Sequence, residues 1–160
     1  MTYNSVALAA PRILLPDPRV DLTRWAVVAC DQYTSQPEYW RDVERFVGAS
    51  PSTLRLILPE AFLGTEEEER FLASIRRTMD AYLEQGILQP LEEGFVLVER
   101  TTSHGSTRRG LVVSLDLERY DFSPGSTSLV RATEGTVMER LPVRVRIRSR
   151  ASIELPHIMV

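Results

Sequence analysis

The stretch Leu129–Arg150 reads LVRATEGTVMERLPVRVRIRSR, and its second half, Val143–Arg148, alternates apolar residues with arginines. A period of two is typical of a β-strand with one buried face and one basic face. Pro142 is expected to begin this strand, because proline is compatible with the first residue of a strand. A strand face exposed to solvent would explain the arginines without any ligand.

The first half of the same stretch places charged and hydroxyl groups around a glycine. Arg131–Thr136 supplies a cation, two hydroxyls and a carboxylate within six residues. Such a group can bind an anion through charge-assisted hydrogen bonds. The pattern therefore predicts a phosphate site beside the basic strand. The structural alternative is an ordinary ion pair of Arg131 and Glu134 at a turn.

Composition limits the classes of protein that the chain can belong to. The 160 residues predict one domain, residues 1–160, and 43% hydrophobic with 26% charged residues is usual for a globular protein. A net charge of −3 argues against a nucleic-acid-binding surface. No apolar run approaches the ~20 residues of a membrane helix, and Met1–Ala10 lacks the basic start of a signal peptide. We expect a cytoplasmic protein that binds neither membranes nor nucleic acid.

Two amphipathic helices are predicted, over residues 36–48 and 65–86. Ser35 and Glu38 have the spacing of a capping box, and Gly48 ends the first helix. Thr65 precedes four acidic residues, which the dipole of a helix N-terminus favours. The buried stripe of the second helix is expected to be Phe71, Leu72, Ile75, Met79, Tyr82 and Leu83.

Several short strands complete the predicted fold. Trp25–Cys30 and Ser52–Leu58 are apolar runs of strand length. Gly94–Arg100 and Gly110–Glu118 are expected to form a β-hairpin around the loop between them. Together with the helices, they predict an α+β fold with a mixed or largely antiparallel sheet. One cysteine excludes an internal disulfide, and with two histidines it is too sparse for a zinc site.

A second possible site lies where the first predicted strand meets the first helix. Asp31 follows Trp25–Cys30, and ligands of α/β folds favour the carboxyl ends of strands. Asp31 as a simple turn residue is an equal alternative. Arg108, in the predicted hairpin loop, is placed to reach a ligand. The chain ends in the apolar run Ile153–Val160, which predicts a truncated domain.

The chain resembles the bacterial and archaeal family known as domain of unknown function 1015. Members are more than twice this long, so the resemblance implies that this chain is their amino-terminal part. It implies site roles for Arg131, Glu134, Thr136 and Arg140, and for Asp31. Thr133 stands where other branches have histidine, which argues against a histidine-based mechanism. The pieces that carry the resemblance are ACDQYTSQPEYW (29–40), PSTLRLILPE (51–60), RATEGTVMERLPVRVRIR (131–148) and ELPHIMV (154–160).

The pattern is also similar, more remotely, to the fold of ParB amino-terminal domains, sulfiredoxins and free-serine kinases. That similarity implies a nucleotide or phosphoryl donor, held by arginines and backbone N–H groups beside a short helix. The expected ligands are ATP, ADP or pyrophosphate with Mg²⁺.

The leading hypothesis is a phosphotransferase, a kinase that acts on a small polar metabolite. Glu134 or Asp31 would be the general base or hold Mg²⁺. The predicted phosphate ligands are Arg131, Thr133, Thr136, Arg140 and Arg108. A non-catalytic nucleotide- or anion-binding regulatory module would use the same arginines without a base, and an inactive truncated product is a third possibility. Glu134→Gln separates the first two, since only the enzyme loses turnover while it retains binding.

Overall fold

The computed structural model describes residues 7–92, 94–121, 123–130, 135, 137–149 and 151–155. Four α-helices lie in this part of the chain, at Leu22–Trp25 (α1), Pro37–Val47 (α2), Glu67–Glu84 (α3) and Leu141–Arg148 (α4). Its strands are Leu8–Ala9 (β1), Leu14–Pro16 (β2), Leu88–Pro90 (β3), Val96–Thr101 (β4), Thr107–Val112 (β5) and Ser114–Leu115 (β6). The predicted α+β class is therefore confirmed.

The strands form three two-stranded sheets rather than one larger sheet. β1 pairs antiparallel with β6, and β4 pairs antiparallel with β5. β2 pairs with β3. The predicted hairpin is confirmed, with Leu97 opposite Leu111, although its loop is shorter than the sequence predicted. The single strand predicted over Gly110–Glu118 is divided between β5 and β6 at Val113.

The chain divides into two compact units. The first comprises the described residues of Met1–Leu15 and Pro90–Thr136, and the second those of Pro16–Gln89 and Val137–Val160. The first unit contains the β4–β5 hairpin, of which no residue is buried. The buried side chains of the second unit include Trp40, Val47, Leu54, Leu56, Phe62, Leu72, Ile75, Met79 and Tyr82.

Both predicted helices are present in the second unit. α2 begins at Pro37, where its missing N–H costs nothing, and Gly48 ends it with a φ of 56°. The predicted capping box is wrong, since the cap residue Gln36 makes no side-chain capping bond. α3 carries acids in its first turn and buries five residues of the predicted stripe. Leu83 of that stripe is exposed, because it lies beside the buried face near the helix end.

Two predicted strands of the second unit are not strands. Trp25–Cys30 starts in the last residue of α1 and continues without regular structure. Ser52–Leu58 contains a 3₁₀ helix, Thr53–Leu56, in which the Ser52 hydroxyl accepts a hydrogen bond from the Leu54 N–H at 3.2 Å. Short apolar runs suit several buried conformations, and here a local serine cap favours the 3₁₀ turn.

The basic strand predicted over Val143–Arg148 is instead the helix α4. Pro142 lies in the first turn of this helix, where proline is tolerated because those N–H groups have no partner within the helix. No residue of α4 is buried. The residues of α4 are half-buried or exposed, so the segment lacks the fully buried face on which the prediction of a strand depended. Within the described residues, no helix is long and apolar enough to cross a bilayer.

Candidate functional site

Most of the predicted phosphate-site residues lie outside the described part of the chain. Arg140 ends a 3₁₀ turn, Met138–Arg140, but its side chain is also outside the described part. The roles assigned to these residues therefore stay predictions. The residues wholly outside the described part are Arg131, Thr133, Glu134 and Thr136.

Arg108 and Asp31 lie in different compact units. Arg108 is an exposed residue of β5, directly opposite Arg100 on β4. The next cross-strand pair is Arg109 and Glu99, which form an ion pair at 2.7 Å. Arg108 is therefore placed beside like charge, and its predicted role as a phosphate ligand stays a prediction.

Asp31 lines a cavity of about 440 Å³ in the second unit. The cavity is formed by the loop after α1, the segment Leu56–Leu58, α3, α4 and the residues that follow α4. Its apolar lining is provided by Ala29, Leu56, Ile57, Leu58, Met79, Ile147, Ala151, Ile153 and Leu155. Its polar lining is Cys30, Asp31, Arg144, Arg148, Ser152 and Glu154.

Backbone hydrogen bonds fix the loop that carries Asp31. The Glu60 N–H donates to the Cys30 carbonyl at 2.8 Å, and the Gln32 N–H donates to the Ala29 carbonyl at 3.0 Å. These bonds close a turn at Cys30-Asp31 and tie it to the next segment of the fold. Asp31 Oδ1 also accepts a hydrogen bond from the side-chain amide of Gln32 at 3.3 Å. Asp31 thus reaches the cavity from a loop, whereas the sequence predicted it at the end of a strand.

α4 distributes its alternating arginines over different sides of the helix. Residues four apart share one side of a helix, and Arg144 and Arg148 both line the cavity. Residues two apart do not share a side, and Arg146 instead contacts α3. Its Nη1 lies 2.8 Å from Glu68 Oε1, and it also binds Glu69. The sequence analysis missed Arg144 and Arg148 because it interpreted the spacing as that of a strand.

The charges that line the cavity are not all paired. Arg148 forms an ion pair with Glu154. Arg144 makes no hydrogen bond or ion pair with any described residue, and Asp31 has no ion pair within the same set. The cavity therefore presents one free cation and one free carboxylate, as far as the described chain extends. Both are exposed, so water covers them in the absence of a ligand.

Cys30 lines the same cavity and is half-buried. Burial raises the pKa of its thiol, and the negative charges of Asp31 and Glu60 raise it further, against a smaller opposite effect of Arg144. The thiol is therefore protonated at neutral pH. A protonated thiol is a weak nucleophile, so Cys30 contributes an uncharged side chain to the cavity lining and is not an activated cysteine.

No group of three or more His, Cys, Asp or Glu side chains that could hold a metal ion occurs among the described residues. Mg²⁺ bound by an enzyme often takes one or two carboxylates and completes its shell with phosphate oxygens and water. Asp31 is suited to be such a carboxylate ligand. A metal in this cavity would therefore need its other ligands from the bound phosphate and from water.

The fold and this cavity define an α+β protein whose second unit holds a pocket large enough for a small molecule. A family model described as protein of unknown function (DUF1015) matches residues 12–160, and the chain belongs to that family. The family resemblance in the sequence is thereby confirmed. No curated protein and no solved structure matches the chain.

Proposed function

We propose that the chain binds a nucleotide or another phosphorylated small molecule in the cavity of its second unit, and that it is a phosphotransferase. The observation that carries the proposal is Arg144, a cation without a partner among the described residues, at a cavity of about 440 Å³. Pockets for small molecules typically enclose about 300–1,000 Å³ and combine apolar walls with a few polar groups. The cavity fits both descriptions.

The cavity lining divides the expected ligand into an anionic and an apolar part. The Arg144 guanidinium offers five N–H donors in a fork that fits two phosphate oxygens. The half-buried side chains of Ile57, Ile147 and Ile153 offer an apolar surface for a nucleobase or a similar flat group. Arg148 is paired with Glu154, which also lines the cavity, so this pair adds no net charge and Arg144 is the cation left for the phosphate.

Asp31 supplies the group that phosphoryl transfer needs besides the phosphate ligand. As general base, its carboxylate would take the proton of an acceptor hydroxyl while that oxygen forms a bond to the terminal phosphorus of the donor. The bond between phosphorus and the leaving oxygen breaks, and the donor leaves with one phosphate fewer. Alternatively, Asp31 would be a ligand of Mg²⁺, and the ion would supply positive charge to the phosphates.

The first experiment measures binding of ATP, ADP and pyrophosphate, with Mg²⁺, by isothermal titration calorimetry. We expect Arg144→Gln to weaken binding about tenfold or more, because a hydrogen bond to a charged group is lost. Arg45→Gln is the matched control, an exposed helical arginine that does not line the cavity. Equal affinities of Arg144→Gln and the unchanged chain would refute this site. Arg131→Ala tests the predicted segment in the same titration.

The second experiment asks whether binding leads to chemistry. Asp31→Asn keeps the shape of the side chain and removes its charge and basicity. Loss of phosphoryl transfer to small polar metabolites, with binding retained, supports the enzyme. Binding by the unchanged chain without turnover of any donor supports the regulatory module instead. Glu134→Gln in parallel decides which predicted carboxylate acts as the base.

A further inference from the structure

A smaller cavity of about 180 Å³ lies in the second unit, in the groove where the 3₁₀ helix Thr53–Leu56 packs against α3. It shares no residue with the larger cavity. α3 contributes five residues, at positions i, i+1, i+4, i+7 and i+8, which fall on one side of a helix. The lining consists of Glu44, Leu54, Arg55, Arg70, Phe71, Ser74, Arg77 and Thr78.

The charges around this groove leave an excess of positive charge. Arg70 Nη1 lies 2.8 Å from Glu44 Oε1, so the one carboxylate of the lining is neutralised. Arg55 hydrogen-bonds only backbone carbonyls within the described chain. Arg77 makes no hydrogen bond or ion pair with any residue that the structure describes. Two arginines without an acidic partner therefore face one small groove.

Arg55 is held in place by the backbone. Its Nε donates to the Ser50 carbonyl at 3.5 Å, and one of its Nη groups donates to the Gly48 carbonyl. Guanidinium has five N–H donors, so these bonds orient the group and leave donors for a ligand. Such prior ordering reduces the entropy lost on binding.

Hydroxyl groups complete the set of donors in the groove. The Ser74 hydroxyl donates to the Phe71 carbonyl at 2.9 Å, so its proton is in use. The half-buried Thr78 hydroxyl has no partner among the described residues and can donate to a ligand. The groove thus offers free donors from Arg55, Arg77 and Thr78 and no free acceptor carboxylate.

We propose that this groove binds a small inorganic oxyanion of the size of phosphate. Free cationic and hydroxyl donors around an apolar floor of Leu54 and Phe71 match a tetrahedral oxyanion. The volume lies below the about 300–1,000 Å³ of typical small-molecule pockets, which excludes a whole nucleotide. The site is separate from the larger cavity and does not depend on the function proposed there.

The test is a titration of the ¹⁵N-labelled chain with inorganic phosphate, followed by two-dimensional NMR. We expect saturable shifts of the Arg55, Ser74 and Thr78 amides. Arg77→Gln should weaken this binding about tenfold, because it removes a charge-assisted hydrogen bond. Arg76→Gln is the control, a neighbouring exposed arginine of α3 that pairs with Asp80 and does not line the groove.

Two results would overturn the proposal. One is the absence of saturable shifts at the groove in the unchanged chain. The other is equal weakening by Arg76→Gln and Arg77→Gln, which would show a general effect of charge and not a defined site. Arg144→Gln should leave these shifts unchanged. Failure of the larger cavity to bind nucleotides would therefore not affect this result.

Discussion

At the scale of single residues, the second unit depends on one buried polar contact between distant parts of the chain. The Ser52 N–H donates to the Tyr82 hydroxyl at 2.9 Å, and the Tyr82 hydroxyl lies 3.3 Å from the Ser52 carbonyl. Both residues are buried, with Ser52 at 0% exposure. The contact joins the start of the 3₁₀ helix to α3, and so it positions the walls of both cavities.

Tyr82→Phe should lower the free energy of unfolding by about 1–3 kcal/mol, because it leaves a buried N–H without a partner. The aromatic ring, 5.8 Å from that of Trp25, is retained by this change. Urea unfolding followed by circular dichroism measures the effect. Tyr33→Phe, at an exposed tyrosine, is the control. A stability equal to that of the control would contradict the assigned role of the contact.

At the scale of elements, polar contacts join α4 to α3. None of its residues is buried, and its described contacts to α3 include the ion pairs of Arg146 with Glu68 and Glu69. Glu68 is also fixed from its other side, since its Oε2 accepts the Gly64 N–H at 2.7 Å. After α4, the Ser152 hydroxyl donates to Asp80 Oδ1 of α3 at 2.7 Å.

Arg146→Gln should therefore loosen α4. An isolated helix of eight residues is marginal in water, so its order depends on these tertiary contacts. We expect hydrogen exchange of the α4 amides to become several-fold faster, while α2 is unaffected. High salt should reduce the difference, because it screens the ion pairs. Arg109→Gln, which removes an ion pair of the β4–β5 hairpin, is the control. Unchanged exchange in α4 would contradict this account.

At the scale of the whole molecule, carboxylates that are charged in the folded state make stability depend on pH. Hydrogen bonds from Arg19 lower the pKa of Asp17, whose Oδ2 also accepts a bond from Gln89 at 2.6 Å. Burial alone would raise the pKa of Glu67, but hydrogen bonds from Arg41 and Arg70 outweigh it and lower the value. Both groups therefore bind protons less readily when the chain is folded.

Because the pKa values of Asp17 and Glu67 are lowered by folding, the stability of the folded chain decreases as the solution becomes acidic. A carboxylate whose pKa is lowered by folding contributes its full stabilisation at pH values above its unfolded pKa of about 4. That stabilisation is lost as the pH falls through the pKa of the folded state. We expect the urea concentration at the midpoint of unfolding to decrease as the pH is lowered from about 5 to about 3. Asp17→Asn should reduce this dependence, since its side chain does not titrate. Urea titrations of the unchanged chain and of Asp17→Asn at several pH values measure this dependence. Parallel pH profiles of the two would contradict the role of Asp17.

Local spacing was sufficient to predict the two main helices, the hairpin and the α+β class. The apolar stripe of α3 repeats with the period of a helix, and that period is a property of the backbone alone. Asp31 was singled out because it follows an apolar run and precedes a helix; it lines the larger cavity, and its role as a site residue stays a prediction. The residues of Arg131–Thr136 lie outside the described chain apart from Gly135, so their predicted site stays a prediction.

Features that depend on neighbouring residues could be predicted from the order of residues alone, including the class of fold and the approximate positions of α2 and α3, and the family could be recognised. The conformation of Leu141–Arg148 and the contacts of its arginines depend on the packing of the folded chain, so they could be established from the structure alone. Arg146 meets Glu68 across 78 positions of sequence, and Arg144 meets the cavity wall formed around Asp31. Such partners are set by the packing of distant segments. The local alternation of apolar residues and arginines was therefore not enough to distinguish a strand from a helix.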